Sequence, residues 1–139
     1  MKQNDKLKPD QKQKPTILIV EDEQSLNEAY QLILRQAGYT VQVAFDGQEA
    51  LEVSAMEEPA LILLDLRMPR MDGIEFLRHY NLRQEHPQVK VIVFSNYDMQ
   101  KEIDEAYSLG ADRYFMKALA SPQELLQVVE NTLSTPTQT

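Results

Sequence analysis

Short apolar runs alternate along this chain with segments in which apolar residues recur at helical spacing. Three of the runs are almost continuously apolar, which is typical of strands buried on both faces of a parallel sheet. The five predicted strands are Thr16–Val20, Thr40–Ala44, Ala60–Leu64, Val89–Phe94 and Arg113–Met116. Strands that alternate with helices through short, right-handed connections form three-layer α/β domains. We therefore predict a doubly wound (βα)5 domain with a central five-stranded parallel sheet.

Four predicted helix starts carry the signature of a capping box. In this motif the N-cap side chain accepts a hydrogen bond from the N3 amide, and the N3 acid reaches back to the N-cap amide. The four pairs are Ser25 with Glu28, Asp46 with Glu49, Asp72 with Glu75, and Ser121 with Glu124. Gly38 and Gly110 fall just past the first and fourth predicted helices, where a left-handed residue is favoured.

The 139 residues suffice for one domain, and the absence of cysteine excludes disulfides and thiolate metal sites. We divide the chain into a disordered polar tail (residues 1–15), one folded domain (residues 16–134) and a short polar C-terminal tail (residues 135–139). No apolar run approaches the roughly 20 residues that span a bilayer, and no secretory signal follows the first methionine. We therefore expect a cytoplasmic, stand-alone domain.

The charge of the chain is unevenly distributed. The formal net charge is −8, but the first 15 residues contain five lysines and two aspartates (+3), which leaves −11 for the remainder. A body this acidic repels phosphate backbones. We therefore expect no direct binding to nucleic acid.

Charged or hydroxyl residues end four of the predicted strands. Glu21 and Asp22 follow the first strand, Asp65 the third, Ser95 the fourth and Lys117 the fifth. The carboxyl ends of parallel strands share one edge of the sheet, where open α/β sheets bind their ligands. Carboxylates gathered there would repel one another without a cation, and their oxygens suit Mg²⁺. The pattern predicts a magnesium site.

The residue types at this edge indicate phosphoryl transfer. Asp65 follows an almost wholly apolar run, and a buried carboxylate without a partner would be costly. Lys117 can pair with Asp65 or with a bound anion, and Ser95 offers a hydroxyl donor. A carboxylate nucleophile, a cation, an ammonium and a hydroxyl together form a plausible phosphoryl-transfer site.

Four stretches carry a resemblance to a known family: ILIVEDE, LILLDLRMPRMDGIEFL, VIVFS and GADRYFMK. The second stretch is the most specific, because an aspartate followed by a short loop with Pro69 and then Asp72-Gly73 rarely arises by chance. Over roughly residues 16–133 the chain resembles the receiver domain of two-component response regulators. The resemblance implies a flavodoxin-like sheet with strand order 2-1-3-4-5.

The resemblance also implies a phosphoacceptor and its metal ligands. Asp65 would accept a phosphoryl group from a histidine kinase or a histidine phosphotransfer protein. Asp22 would bind Mg²⁺ directly and Glu21 through water, with the main-chain oxygen of Arg67 as a further ligand. The protein would then be a signalling switch and not a turnover enzyme.

The same resemblance implies a readout of phosphorylation. Ser95 and Lys117 would contact the phosphoryl oxygens, and Tyr114 would turn inward as the Ser95 hydroxyl moves toward the phosphoryl group. The face formed by the fourth helix, fifth strand and fifth helix would dock a downstream protein. A receiver of this kind is a monomer or pairs weakly through that face.

The chain departs from the family pattern at two positions near the site. Ala118 follows Lys117 where the family usually has a proline in a cis peptide, and a cis bond before alanine costs about 3–4 kcal/mol. We therefore predict a trans Lys117–Ala118 peptide. Asn96 replaces a small residue beside the site, and with Arg67 and Tyr97 at the entrance it predicts altered dephosphorylation kinetics.

Two other classes of function compete with a phosphorylated switch. A binding module that keeps the fold without the chemistry is disfavoured by the intact site, although Asn96 and Ala118 keep it open. An enzyme on a similar sheet fits less well. A phosphatase would need an acid where Arg67 stands, and a nucleotide or flavin site would need a glycine-rich turn in place of Glu21-Asp22-Glu23.

Overall fold

The structure is a computed structural model, which describes residues 14–96, 99–117 and 121–136. Four predictions fall wholly or partly outside these residues: most of the polar N-terminal tail, the last three residues of the C-terminal tail, the position of Tyr97 at the site entrance, and the Lys117–Ala118 peptide. Within the described ranges, no helix combines the length and apolarity that crossing a membrane requires.

Five parallel strands form one sheet in the order β2-β1-β3-β4-β5, which confirms the predicted architecture and strand order. The strands are β1 Thr16–Val20, β2 Thr40–Ala44, β3 Leu61–Asp65, β4 Lys90–Ser95 and β5 Arg113–Met116. The helices are α1 Gln24–Gln36, α2 Gly47–Met56, α3 Gly73–Tyr80, α4 Leu82–Glu85, α5 Gln100–Ser108 and α6 Pro122–Ser134. The third and fourth strands begin and end one residue later than predicted, so each includes its terminal polar residue.

Helices cover both faces of the sheet and bury two separate apolar clusters. Alternate residues of β1, β3 and β4 point to opposite faces, as the pleat of a strand requires. On one face they pack against Phe76 and Leu77 of α3 and Ile103 of α5. On the other they pack against Leu34 of α1 and Val129 of α6. Burial on both faces explains why these three strands are almost continuously apolar in sequence.

The third predicted helix is divided in two. Asn81 has a φ of 57°, ends α3 in the left-handed region and precedes the single turn of α4. Asparagine adopts this conformation more readily than most other residues. The fourth and fifth predicted helices are therefore α5 and α6. Gly38 and Gly110 have φ values of 101° and 112°, which confirms the left-handed ends predicted there.

Two of the four predicted capping boxes are complete, those of Asp72 with Glu75 and Ser121 with Glu124. Asp46 also caps its helix, because its Oδ1 accepts from the Glu49 amide at 2.8 Å. The Glu49 carboxylate, however, accepts from the amide of Phe45 at 2.8 Å. This pair therefore spans one residue more than the standard box.

The capping box predicted at Ser25 and Glu28 is wrong. Helix α1 begins at Gln24, and its N-cap residue is Glu23, whose side chain makes no capping hydrogen bond. The start of the helix is instead held from the preceding loop, where Glu21 Oε2 accepts from the Glu23 amide at 3.0 Å. The chain turns into the helix two residues earlier than the sequence pattern indicated.

Candidate functional site

An acidic cluster lies at the carboxyl edge of the sheet, where β1 and β3 are neighbours. Glu21 and Asp65 are buried, with 1% and 4% of their surfaces exposed, while Asp22 is exposed. One carboxylate oxygen from each of the three lies within 4.8 Å of the others. The parallel register, which pairs Val20 with Leu64, brings the residues at the ends of these strands together. This donor set of hard oxygen atoms could hold a divalent cation.

Lys117 joins the cluster from the end of β5. Its Nζ lies 2.9 Å from Glu21 Oε1 and 3.0 Å from Asp65 Oδ2, so one ammonium forms ion pairs with both buried carboxylates. The contact with Asp65 is also a hydrogen bond. Four predicted site residues are thus gathered at one place: Asp65 at the end of β3, Glu21 and Asp22 just after β1, and Lys117 just after β5.

Burial shapes the electrostatics of this cluster. It raises the pKa of Glu21 to about 7, against the lowering effect of the Lys117 contact. Burial likewise raises the pKa of Asp65 above its ordinary value, although Lys117 and the Arg67 amide oppose the change. Burial alone would lower the pKa of Lys117, but its two carboxylate partners outweigh that effect and raise it. At both carboxylates the effect of burial on the pKa therefore outweighs the effect of Lys117.

Ser95 and Tyr114 differ in their relation to the cluster. Ser95 ends β4 and is buried, and its Oγ has no hydrogen-bond partner among the described residues. The preceding residue, Phe94, is the register partner of Asp65, so Ser95 lies at the same edge of the sheet. Tyr114 is exposed on β5 and does not belong to the cluster. Asn96 is also exposed, and its main-chain N–H donates to Met99 Sδ at 3.3 Å.

The loop after β3 folds back tightly beneath the Asp65 carboxylate. Asp65 Oδ1 accepts from the Arg67 amide at 3.1 Å, and the Gly73 amide donates to Leu66 O at 3.1 Å. A Cβ atom on Gly73 would lie 2.5 Å from the Asp65 carbonyl oxygen. Glycine is therefore required where α3 begins, which explains the Asp72-Gly73 pair noted in the sequence.

The same loop is bound to the start of α2. Asp46 Oδ2 accepts from Arg70 Nε at 2.7 Å, and the Gly47 amide donates to the carbonyl oxygen of Met71 at 2.9 Å. Arg70 has a φ of 64°, in the region that favours glycine, and this ion pair holds it there. The amide of Glu49 and the guanidinium of Arg70 together lower the pKa of Asp46.

Replacing Asp46 with alanine is expected to lower the free energy of unfolding by about 1–2 kcal/mol at pH 7, because a helix cap is lost together with the Arg70 contact. A carboxylate whose pKa is lowered by folding stabilises the protein above its unfolded pKa of about 3.9 and ceases to do so as the pH falls through its folded pKa. The difference between wild type and Asp46→Ala should therefore shrink below pH 4 in urea titrations. Asp104→Ala, at an exposed site, is the control, and an equal loss there would contradict the prediction.

Asn27 is a site residue that the sequence reasoning missed. It is fully buried in α1, and its Nδ2 donates to the carbonyl oxygens of Glu21 at 2.9 Å and Ala44 at 3.3 Å. This amide therefore fixes the main chain that carries the Glu21 carboxylate. The available signal was an asparagine at the helical spacing of Tyr30 and Leu34, which places it on the buried face of α1.

Arg67 extends its side chain away from the acidic cluster to α5. Its Nη2 lies 3.2 Å from Glu102 Oε2, and the two side chains are 65% and 35% exposed. One turn further along α5, Glu105 forms an ion pair with Arg78 of α3. Two ion pairs thus connect α5 with the loop after β3 and with α3.

The sheet order and the acid-rich carboxyl edge define a receiver-type α/β fold, and the comparisons with known proteins agree. Residues 17–130 match the family described as the response regulator receiver domain. The chain therefore belongs to the response regulator receiver family.

Curated proteins with similar sequences support this assignment. The response regulator MprA of Mycobacterium ulcerans is 38% identical over 110 residues, which cover 79% of this chain and 46% of the relative. The alkaline phosphatase synthesis transcriptional regulatory protein PhoP of Bacillus subtilis is 38% identical over 109 residues, which cover 78% of this chain and 44% of the relative. The chain thus spans slightly less than half the length of these curated relatives.

Two similar solved structures are matched over almost their whole length. A putative response regulator from Chloroflexus aurantiacus has a TM-score of 0.77 at 29% identity, covering 87% of this chain and 98% of that one. The Vibrio cholerae chemotaxis protein CheY4 has a TM-score of 0.77 at 26% identity, covering 84% of this chain and 97% of that one.

Proposed function

We propose that this receiver domain accepts a phosphoryl group on Asp65 in a Mg²⁺-dependent reaction and signals by altered docking to other proteins. The observation that carries the proposal is the buried Asp65 carboxylate, which is paired with Lys117 and lies beside Glu21 and Asp22. The proposed donor is a histidine kinase or a histidine phosphotransfer protein. The protein acts as a switch and not as a turnover enzyme.

The metal part of the proposal is supported by the donor set. Glu21, Asp22 and Asp65 would hold Mg²⁺, with the main-chain oxygen of Arg67 as a further ligand, because carboxylate and carbonyl oxygens are what this ion prefers. Burial raises the pKa of both Glu21 and Asp65 despite the contact with Lys117, and a bound cation would favour their ionised forms. When bound, Mg²⁺ neutralises negative charge on the transferring phosphoryl group.

The proposed transfer is a displacement at phosphorus. A carboxylate oxygen of Asp65 forms the new P–O bond while the P–N bond of the phosphohistidine breaks, and the bonding electron pair remains on the imidazole nitrogen. Lys117 and the buried hydroxyl of Ser95 are placed to stabilise charge on the phosphoryl oxygens. The proposed deactivation is a separate hydrolysis: water attacks phosphorus, the P–O bond to Asp65 breaks with its electron pair remaining on the carboxylate, and inorganic phosphate leaves.

The proposed output is a change in the binding preference of the α5–β5–α6 face, so that different proteins dock there before and after phosphorylation. Tyr107 and Tyr114 are exposed on this face, and Tyr114 is the proposed aromatic switch. The proposal includes a cytoplasmic location and a monomer or a weak homodimer that forms through the same face. Because the chain spans less than half of PhoP, which is named as a transcriptional regulatory protein, control of transcription by this chain would be a separate proposal.

Phosphorylation by acetyl phosphate tests the proposed function directly. We expect one phosphoryl group per molecule, dependent on Mg²⁺, by intact-protein mass spectrometry, and we expect Asp65→Asn to abolish it because the amide is not a nucleophile. Asp104→Asn, an identical change at an exposed position of α5, is the control and should label normally. A folded wild-type protein that takes up no label would contradict the proposal and favour a binding module that works without phosphorylation.

A further inference from the structure

We propose that Arg67 is a phosphoryl-responsive tether: it holds α5 through Glu102 when Asp65 is unmodified and leaves Glu102 for the phosphoryl group when Asp65 is modified. The main chain of Arg67 is anchored at the site, because its amide donates to Asp65 Oδ1 at 3.1 Å. Its guanidinium ends 3.2 Å from a carboxylate of a different element, 35 residues along the chain. The inference rests on the proposed phosphorylation of Asp65.

The competition between the two partners favours the phosphoryl group. The Arg67–Glu102 pair is largely open to solvent, and such pairs are weak because water screens them. A phosphoryl group carries a charge of about −1.5 to −2 with three acceptor oxygens and binds the planar guanidinium through two parallel hydrogen bonds. The Arg67 side chain begins two residues from Asp65, so it needs only to turn toward the acceptor.

Helix α5 makes few stabilising contacts, so the loss of one ion pair can change its local stability. It has only nine residues, and its N-cap residue, Met99, makes no capping hydrogen bond through its side chain. Within the helix only Ile103 and Ala106 are buried. Glu102 lies in the first turn, next to the end that lacks a side-chain cap, so loss of its partner removes one contact that holds this end of α5.

The second ion pair on α5 provides a matched control. Glu105 is one turn from Glu102 on the same helix and is paired with Arg78 of α3. That contact involves no residue of the site. Glu102→Gln and Glu105→Gln therefore each remove one negative charge and one ion pair from α5, but only the partner of Glu102 belongs to the Asp65 loop.

Hydrogen–deuterium exchange of the α5 amides in the full chain tests the tether, with and without acetyl phosphate and Mg²⁺. In wild type we expect phosphorylation to speed exchange in the first turn of α5 by roughly two- to fivefold, the range that the loss of one exposed ion pair allows. Glu102→Gln should exchange faster before phosphorylation and show no further increase. Glu105→Gln should keep the phosphorylation-dependent increase.

Intact mass measured on the same samples separates the two possible failures. Full labelling of Asp65 with the same increase in exchange in wild type and in Glu102→Gln would overturn the tether and leave the proposed function standing. Full labelling with no change in amide exchange in wild-type α5 would likewise overturn the tether and leave the proposed function standing. Absence of labelling in wild type would overturn both proposals together.

Discussion

Asn27→Asp is expected to lower the free energy of unfolding by about 3–5 kcal/mol at neutral pH, the range for an uncompensated buried charge. The substitution keeps the shape of the side chain but turns a donor into an acceptor that faces two carbonyl oxygens, those of Glu21 and Ala44. Both hydrogen bonds are lost, and the buried charge keeps only the neutral amide of Gln31, which donates to Oδ1 of residue 27 at 3.0 Å, as a partner.

The effect of this substitution should depend on pH in a definite direction. Burial next to carbonyl oxygens raises the folded pKa of the new carboxyl above its unfolded value of about 3.9, and the protonated form can donate one hydrogen bond. The destabilisation should therefore be complete above the raised pKa and decrease as the pH falls toward 4. Urea titrations at pH 7.5 and 5 measure it.

A matched control separates burial from the change of residue type. Asn131→Asp makes the same substitution at an exposed position of α6 and should alter stability by no more than about 0.5 kcal/mol. If Asn27→Asp cost as little as the control, or cost the same at both pH values, Asn27 would not be holding the main chain of the β1–α1 loop.

Gly73→Ala is expected to damage both stability and phosphorylation. The added Cβ would lie 2.5 Å from the Asp65 carbonyl oxygen and 2.9 Å from Leu66 Cα, both of which are main-chain atoms that cannot rotate away. Overpacking of this kind costs about 1–3 kcal/mol. Relief of the clash must move the main chain of Asp65, so we expect the rate of labelling by acetyl phosphate to fall about tenfold or more.

Gly38→Ala distinguishes this steric effect from a general cost of replacing glycine. Gly38 has a φ of 101°, which strains alanine, but its nearest neighbour would be Lys14 at 3.6 Å, so there is room for the Cβ. It ends α1 far along the chain from the Asp65 loop. This variant should lose stability and keep the wild-type labelling rate. Equal labelling rates in the two variants would contradict the steric account of Gly73.

The features that were predictable from sequence are those set by neighbours along the chain. Strands β1, β2 and β5 match their predicted bounds, and β1 and β5 do so because an apolar run ends at a charged residue. The cluster at the carboxyl edge follows from parallel strands that end in acids, and the strand order was implied by the family resemblance. Gly38 and Gly110 marked two helix ends because the residue after a helix often has a positive φ, which glycine adopts without strain.

The features that the sequence did not predict depend on contacts between distant segments. The asparagine that divides the third helix reads as one more polar helical residue until its left-handed φ is known. The Arg67–Glu102 and Asp46–Arg70 pairs join residues 35 and 24 positions apart, and many other charged partners were equally available by composition. Their choice is made by the packing of helices and loops around the sheet.

The position of Lys117 has a consequence for how the receiver rests between signals. Its ammonium lies between Glu21 and Asp65, within 3.0 Å of an oxygen of each, so the chain supplies an internal counter-ion to its own acids. Part of the negative charge at the sheet edge is thereby neutralised by the fold itself, and a cation from solution would compete with the Lys117 ammonium for Glu21 Oε1 and Asp65 Oδ2. The acidic site thus contains a counter-ion of its own, and in the proposed activation Lys117 would exchange a carboxylate partner for the phosphoryl oxygens.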